Sequence, residues 1–150
     1  MEKINKEIIV NTSIEKVFKY VENPINWLEF WPSIIDITDL QPLPDGGYRA
    51  KFEYKMAGRR FKGEGKFTDY APNNWFVVTT KGGISSKITF TFRTFNEKLR
   101  SSQTRVTLTI EYTIPIPLLG KIAEIVIRKM NDQEIELVMA NLRARFLVNY

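Results

Sequence analysis

The sequence lacks the two residue types on which much hydrolytic and metal chemistry depends, because it contains neither cysteine nor histidine. Disulfides, thiolate catalysis, a serine triad of the usual kind and a His-liganded zinc site are therefore excluded. Carboxylates and tyrosines remain as candidates for proton transfer, and a cyclase or dehydratase needs such a group inside a pocket. The sequence predicts no metal site and no cofactor.

Whether such a group faces a pocket depends on its position along a strand, because successive side chains of a strand point to opposite faces of the sheet. Charged residues of the predicted strands fall opposite the aromatic rings, where they are expected to be solvated: Glu53, Glu64, Arg93 and Glu111. Polar atoms on the inward face come from four residues: Tyr48, Tyr54, Asp69 and Tyr112. The pattern favours binding over catalysis and predicts no catalytic residue, although a strand bulge would reverse the parity locally.

Alternation of apolar and polar residues predicts β-structure over most of the chain. A first strand covers Ile4–Val10, and a short helix capped by Thr12 or Ser13 follows it. Pro24 then opens a second short helix. From Ile35 to Tyr112 the period stays at two, with turn signals at glycine and proline. Hairpin spacing predicts an antiparallel meander of about seven strands with one apolar face.

The last third of the chain has a helical period instead. Ile114-Pro115-Ile116-Pro117 breaks the last strand, and apolar residues then recur at helical spacing up to Phe146. Such a helix is about 45 Å long, so the sheet must cover much of it. Its apolar residues form two arcs, with a change of direction near Asn131-Asp132. Either the first half covers a cavity while the second half packs on the sheet, or the helix end contacts another subunit.

Together these elements predict one α+β domain over residues 1–150. A seven-stranded curved antiparallel sheet grips a long C-terminal helix, and two short helices follow strand 1. Hydrophobic residues at 43% and charged residues at 26% are ordinary for a soluble protein. Because Met1–Val10 does not form a leader and no apolar run is long enough to span a bilayer, we expect a cytoplasmic location. The net charge of +5 is scattered, which predicts a solvated face and no nucleic-acid partner.

Large aromatic rings and two glycines share the apolar face of the predicted sheet. Gly63 and Gly65 lie where side chains should fill space, and glycine in a strand often marks a bend or a close approach. Strong curvature would leave a cavity between the sheet and the helix, whereas interdigitated rings would fill it. The crowded Trp27 and Trp31 either plug the core or gate that cavity. The residues expected to line the cavity are Trp27, Trp31, Phe52, Tyr54, Phe61, Phe67, Phe90, Phe92, Tyr112, Ile122, Val126 and Met130.

A series of short motifs in a fixed order also points to a known family. The motifs are Ile8-Ile9-Val10, Ser13-Ile14-Glu15-Lys16-Val17-Phe18, Val21-Glu22-Asn23-Pro24 with Trp27, Trp31-Pro32-Ser33, Thr104-Arg105-Val106-Thr107, Glu111-Tyr112-Thr113-Ile114-Pro115 and Gly120-Lys121. In this order the chain resembles the SRPBCC superfamily of START-like helix-grip domains, especially the polyketide cyclase/dehydrase-like branch. The resemblance implies a hydrophobic cavity between the sheet and the terminal helix, and it transfers no catalytic residue.

Three functions are compatible with this resemblance. The first is binding or carrying of an apolar small molecule, such as a lipid, an isoprenoid or a polyketide-like compound. The alternative is a polyketide cyclase/dehydratase-type enzyme, which requires an inward-pointing acid or base. A further alternative is a protein-interaction or accessory module that docks through the charged sheet face or the helix end. The expected state is a monomer or homodimer without a transmembrane segment, and transient contact with a membrane surface is compatible with it.

Overall fold

The computed structural model describes residues 2–56, 58–82, 84–95, 102–113 and 116–147, and for residues 116–124 and 126 it describes the backbone alone. The strands are β1 (Glu2–Val10), β2 (Ile34–Pro42), β3 (Tyr48–Met56), β4 (Arg59–Ala71), β5 (Trp75–Lys81), β6 (Ser85–Phe95) and β7 (Gln103–Thr113). Within these residues the seven strands form one antiparallel sheet in the order β1-β7-β6-β5-β4-β3-β2. The predicted meander is confirmed, and the predicted break at Ile114-Pro115 lies outside the described residues.

Two short helices and one long one accompany the sheet in the described part of the chain. They are α1 (Ile14–Glu22), α2 (Trp27–Phe30) and α3 (Ile116–Ala144), and a 3-10 turn over Pro24–Asn26 precedes α2. Ser13 caps α1, because its side-chain oxygen accepts a hydrogen bond of 3.4 Å from the N–H of Lys16. Asn23 caps the 3-10 turn through the N–H of Ile25 at 3.2 Å. These caps fix the corner that delivers α2 to the start of β2.

The inner face of the sheet carries the hydrophobic core. Alternation in β7 places Val106, Leu108, Ile110 and Tyr112 inside, where all four are buried. The inward residues of β7 are paired with inward residues of β6: Ile110 pairs with Ile88, and Leu108 pairs with Phe90. The period of two therefore predicted the buried face of these strands correctly.

One inward position of β4 was predicted wrongly. The pairing of β4 with β5 shifts between Phe67 and Asp69, so a bulge at this point reverses the parity of the strand. Asp69 consequently lies on the exposed face, where its Oδ2 accepts a hydrogen bond from the Trp75 Nε1–H at 3.1 Å. Tyr70 turns inward in its place, and its hydroxyl donates to Glu22 Oε2 at 3.1 Å.

The described side chains of α3 present one buried stripe rather than the two arcs that we predicted. The buried side chains fall on one face of the helix: Ile127, Ile135, Val138, Met139 and Leu142. Met130 is 39% exposed and Leu137 is 49% exposed, so both point away from the sheet. The buried face therefore keeps one direction through the described side chains of the helix.

Exposed ion pairs connect α3 to β1 beside this buried stripe. Lys6 Nζ lies 2.9 Å from Glu136 Oε1 and 3.7 Å from Asp132 Oδ1, and Arg128 Nη2 donates to Glu2 Oε1 at 2.7 Å. The charged residues at i, i+4 spacing on α3 therefore face the edge strand. They lie beside the apolar stripe, whose burial against the inner face of the sheet sets the direction of the helix.

The two glycines of β4 differ in the space around them. A Cβ atom on Gly63 would lie 2.4 Å from the backbone oxygen of Lys81 and 2.8 Å from Phe52 Cζ. A Cβ atom on Gly65 would lie 3.4 Å from Val78 Cγ1, which is an ordinary contact distance. Gly63 therefore marks a close approach of the neighbouring backbone, whereas Gly65 has room for a side chain.

Candidate functional site

A cavity lies between the inner face of the sheet and α3. The cavity has a volume of about 150 Å³ and is partly open to solvent. Its wall is largely apolar and is formed by all seven strands of the described sheet, the α1–β2 connection and α3. The lining residues are Ile4, Pro24, Trp27, Trp31, Ser33, Ile34, Ile37, Tyr48, Ala50, Phe52, Tyr54, Met56, Gly65, Phe67, Val78, Thr80, Ile84, Ser86, Ile88, Ile110, Tyr112, Asn131, Glu134 and Ile135.

Two stacked indole rings form one wall of the cavity. The ring centroids of Trp27 and Trp31 lie 5.2 Å apart, with an angle of 14° between the ring planes. Trp27 is fixed by a hydrogen bond of 2.7 Å from its Nε1–H to the backbone oxygen of Val21, at the end of α1. Because both rings are buried and one is anchored, they form a rigid apolar surface beside α3.

Tyrosine hydroxyls supply polar groups to the opposite wall. The Tyr54 oxygen accepts a hydrogen bond from the Ile84 N–H at 2.8 Å, and Tyr112 lines the cavity together with Asn131 of α3. Burial raises the pKa of both tyrosines. They therefore keep their protons at neutral pH, which makes them hydrogen-bonding groups for a ligand rather than bases.

A pair of hydroxyl groups lies on β5 and β6 in the same cavity. Thr80 Oγ1 and Ser86 Oγ are 2.5 Å apart, and the Ser86 N–H donates to Thr80 Oγ1 at 3.1 Å. Thr80 is buried and both residues line the cavity. The sequence analysis did not identify them, because single hydroxyl residues are common on the solvated positions of a strand as well.

The cavity also holds a carboxyl group that the sequence analysis missed. Glu134 of α3 lines it, and the Ser33 hydroxyl donates a short hydrogen bond to Glu134 Oε1. Burial raises the pKa of this carboxyl, while hydrogen bonds from the side chains of Ser33 and Trp31 and from the backbone of Ser33 oppose that shift. Glu134 is therefore an inward-pointing acid at the end of the cavity formed by Trp31 and Ser33.

A signal for Glu134 is present in the helical pattern. Asn131 and Glu134 interrupt the apolar stripe that contains Ile127, Ile135 and Val138, so they share the face that packs on the sheet. The sequence analysis counted parity along strands and placed the helix's apolar residues on two arcs, which hid this interruption. Polar residues inside an apolar stripe were the feature to look for.

The residues predicted to line the cavity fall into three groups. Six of them lie in its wall: Trp27, Trp31, Phe52, Tyr54, Phe67 and Tyr112. Four described residues lie elsewhere: Phe61, Phe90, Phe92 and Met130. The side chains of Ile122 and Val126 lie outside the described residues.

The four displaced residues have identifiable reasons for their positions. Phe90 and Phe92 belong to the end of the sheet that α1 covers, and Phe92 packs against Phe18 of α1 with 5.0 Å between ring centroids. Phe61 stacks on Tyr54 with a centroid distance of 5.2 Å and is not itself in the wall. Met130 points to solvent because of the rotation of α3.

Replacing Glu134 by glutamine isolates the effect of the titrating carboxyl on stability. The folded state raises the pKa of Glu134, so the contribution of this group to the free energy of unfolding is largest below the ordinary glutamate pKa and is lost as the pH rises through the raised value. Glutamine keeps an oxygen for the Ser33 hydrogen bond but does not titrate. We therefore compare the free energies of unfolding of the two proteins. The value for Glu134→Gln minus the value for the wild type should increase between the ordinary glutamate pKa and the raised pKa of Glu134, and should then level off. Urea unfolding at several pH values measures it, and a difference independent of pH would contradict the burial of this charge.

Comparisons with known proteins agree on the fold. A family model described as polyketide cyclase / dehydrase and lipid transport matches residues 1–147. A search of the curated proteins returns no match. A protein from Thermus thermophilus has a similar solved structure, with 17% identity, a TM-score of 0.77 and 97% of each chain covered.

Two further solved structures carry informative names. A START superfamily protein from Mycobacterium smegmatis is 18% identical, with a TM-score of 0.71 and 96% of each chain covered. The di-domain ARO/CYC protein BexL of a biosynthetic pathway is 15% identical, with a TM-score of 0.66, and the match covers 96% of this chain and 46% of that one. At these identities the likenesses show the fold alone, which is the START-like helix-grip fold.

Proposed function

The chain belongs to the polyketide cyclase/dehydrase and lipid transport family, as its motifs predicted, and we propose that it binds a small, largely apolar molecule in the cavity under α3. The observation that carries this proposal is the cavity itself, whose wall is mostly aromatic and aliphatic with a few polar groups. Ligand sites generally have this composition, because apolar walls supply binding energy and a few polar groups fix orientation.

The size of the cavity sets the size of the ligand body. An engineered cavity of roughly 150 Å³ with apolar walls is large enough to bind benzene, so one aromatic ring fits, and substituents can extend through the open side. A ligand of about 12 non-hydrogen atoms gaining roughly 0.5 kcal/mol from each atom would bind with a Kd of tens of micromolar. We therefore propose a compact ligand body rather than a fully enclosed long lipid.

The polar groups of the cavity are placed to orient that ligand. The hydroxyls of Tyr54 and Tyr112 lie on the sheet side, and the Thr80–Ser86 pair lies on two of the three strands between them. Each is a neutral group that forms a hydrogen bond to a carbonyl or hydroxyl. We propose that these groups hold a single polar substituent while the rings of Trp27 and Trp31 cover the apolar body.

Binding of an uncharged apolar dye tests the proposal. N-phenyl-1-naphthylamine should increase its emission with the protein and give a Kd on the order of 10 μM. An apolar surface patch is the main alternative binding place, so Leu28→Ser serves as the control, because Leu28 is 40% exposed and outside the cavity wall. The control variant should bind as the wild type does. Absence of saturable dye binding, together with no small molecule recovered by organic extraction of the purified protein, would refute the proposal.

A second candidate is a polyketide cyclase/dehydratase-type enzyme, and Glu134 is the observation that favours it. This role requires an inward-pointing acid or base, and the carboxyl of Glu134 lines the cavity with a raised pKa. In such a reaction Glu134 would remove a proton next to a ligand carbonyl, and the hydroxyls of Tyr54 and Tyr112 would stabilise the charge that develops on its oxygen. The two functions separate in the Glu134→Gln variant, which keeps dye binding in both cases and loses turnover of a poly-β-ketone substrate only if the protein is an enzyme.

The expected partners follow from the same proposal. No helix in the described residues is both long enough and apolar enough to cross a membrane. We propose a cytoplasmic monomer or homodimer that exchanges its ligand with solution or during transient contact with a membrane surface, and that has no nucleic-acid partner. Size-exclusion chromatography with light scattering determines the oligomeric state.

A further inference from the structure

The cavity has a one-sided distribution of charge. Glu134 is its only carboxyl group among the described lining residues, and none of those residues is lysine or arginine. The lining tyrosines Tyr54 and Tyr112 stay neutral because burial raises their pKa. The described wall of the cavity is thus negative or neutral, although the chain as a whole carries a net charge of +5.

Glu134 has hydrogen-bonding capacity left for a ligand. Its Oε1 accepts a hydrogen bond from the Ser33 hydroxyl, and no charged group contributes to its pKa shift. A carboxylate has about four acceptor sites, so acceptor sites remain beside this one donor. Because Glu134 lines the cavity, the remaining sites are accessible to a donor that enters the cavity.

Two aromatic rings line the same cavity as this carboxylate. Trp31 is two residues from Ser33, whose hydroxyl donates to Glu134, and its ring stacks on that of Trp27 with 5.2 Å between the centroids. Tryptophan faces attract cations when the two lie within about 6 Å. A cavity that contains both a carboxylate and an indole pair is therefore suited to an ammonium group, since both favour positive charge.

A ligand carboxylate meets the opposite conditions. It would enter an apolar cavity that already contains Glu134, and no basic side chain among the described lining residues would compensate its charge. Taking an unpaired charge out of water is strongly unfavourable, and a second carboxylate nearby adds repulsion.

From this arrangement we propose that the ligand is an apolar amine, whose ammonium group is hydrogen-bonded to Glu134 while its body fills the cavity. This inference rests on the proposed binding function and specifies the chemical class of the ligand. It excludes fatty acids and other apolar carboxylates as preferred ligands. A competing explanation is that Glu134 only ties α3 to the α2–β2 connection through Ser33, in which case ligand charge would not matter.

A matched series of three compounds tests the proposal. 4-Isopropylbenzylamine, 4-isopropylbenzyl alcohol and 4-isopropylbenzoate share one apolar body and differ in the charge of one group. At neutral pH we expect the amine to bind at least about tenfold more tightly than the benzoate, with the alcohol between them. Calorimetry measures the three Kd values, and displacement of N-phenyl-1-naphthylamine shows that the compounds enter the dye site.

Two glutamine variants separate the cavity charge from the charge of the helix. Glu134→Gln should weaken amine binding about tenfold, leave the alcohol unchanged and remove most of the preference over benzoate. Glu136→Gln is the control, because Glu136 is two residues away on α3 and pairs with Lys6 outside the cavity. It removes the same charge and should preserve the order of the three compounds.

A measurement on the wild type covers the case in which Glu134→Gln does not fold. Saturating amine should lower the titration midpoint of the Glu134 side chain, followed by carbon-13 NMR of its carboxyl carbon, because a bound ammonium favours the carboxylate. If dye and alcohol bind but the amine shows no preference over benzoate, or the preference persists in Glu134→Gln, the amine proposal is overturned and the binding function stands. If dye and all three compounds fail to bind, the proposed binding function itself fails.

Discussion

Replacing Gly65 by leucine is expected to weaken dye binding by on the order of 100-fold while the protein stays folded. Gly65 lines the cavity, and a Cβ atom there would make only ordinary contacts, the shortest being 3.4 Å to Val78 Cγ1. The Cβ atom is therefore accommodated, and we expect the rest of the leucine side chain to occupy cavity space that the ligand needs. Excluding about four buried carbon groups of the ligand at about 0.8 kcal/mol each gives about 3 kcal/mol, which corresponds to that loss of affinity.

Controls on the same strand make this result specific. Lys66→Leu adds a similar apolar group to the adjacent exposed position, on the opposite face of β4, and should leave the Kd for the dye unchanged. Gly65→Ala should give an intermediate loss. Fluorescence titration with N-phenyl-1-naphthylamine gives the Kd values, and circular dichroism checks the fold. Tight dye binding by a folded Gly65→Leu variant would show that the dye does not use this cavity.

Replacing Phe76 by alanine is expected to produce the largest loss of stability, about 3–5 kcal/mol. Phe76 is fully buried at the centre of the ring cluster between the sheet and α1. Its ring centroid lies 4.8 Å from that of Phe67 and 5.3 Å from that of Phe90. Truncation removes the apolar contacts of a whole ring and leaves a cavity that these neighbours can only partly fill.

Phe95→Ala provides the matched comparison for that loss. Phe95 is half-buried near the end of β6, where its ring lies 5.2 Å from the guanidinium carbon of Arg105. Truncation of a partly solvated ring should cost much less than removal of Phe76, because less surface is returned to water. Urea unfolding followed by circular dichroism measures both variants, and equal losses would contradict the central role assigned to Phe76.

The part of the site that lies on regular strands could be predicted from the sequence. Tyr54 and Tyr112 were placed inward by counting alternate residues, and both line the cavity. The same counting failed for Asp69, because a bulge after Phe67 adds a residue to β4 and turns Asp69 outward. Alternation predicts the face of a side chain only where no bulge interrupts the pairing of the strands. No local residue type marks this bulge.

The position of Glu134 in the cavity could not be predicted from the alternation of residues along the strands. Glu134 faces the cavity because burial of the apolar stripe sets the rotation of α3 against the sheet. The strands that α3 contacts are distant in the chain, as the hydrogen bond from Lys6 to Glu136, 130 residues apart, illustrates. A helical wheel gives the relative directions of side chains on one helix but not the rotation of that helix against a sheet.

The sequence by itself determined the elements, their order and the family, because alternation, helical period and capping residues act over short distances. It also determined most of the rings on the inner face of the sheet, but not Tyr70, which the bulge in β4 turns inward. Only the tertiary structure decided which of those rings remain around the cavity and which pack beneath α1, as Phe92 does against Phe18. The reason is physical: the position and rotation of the helices are set by many weak contacts between distant residues, and the space that remains between them is the site.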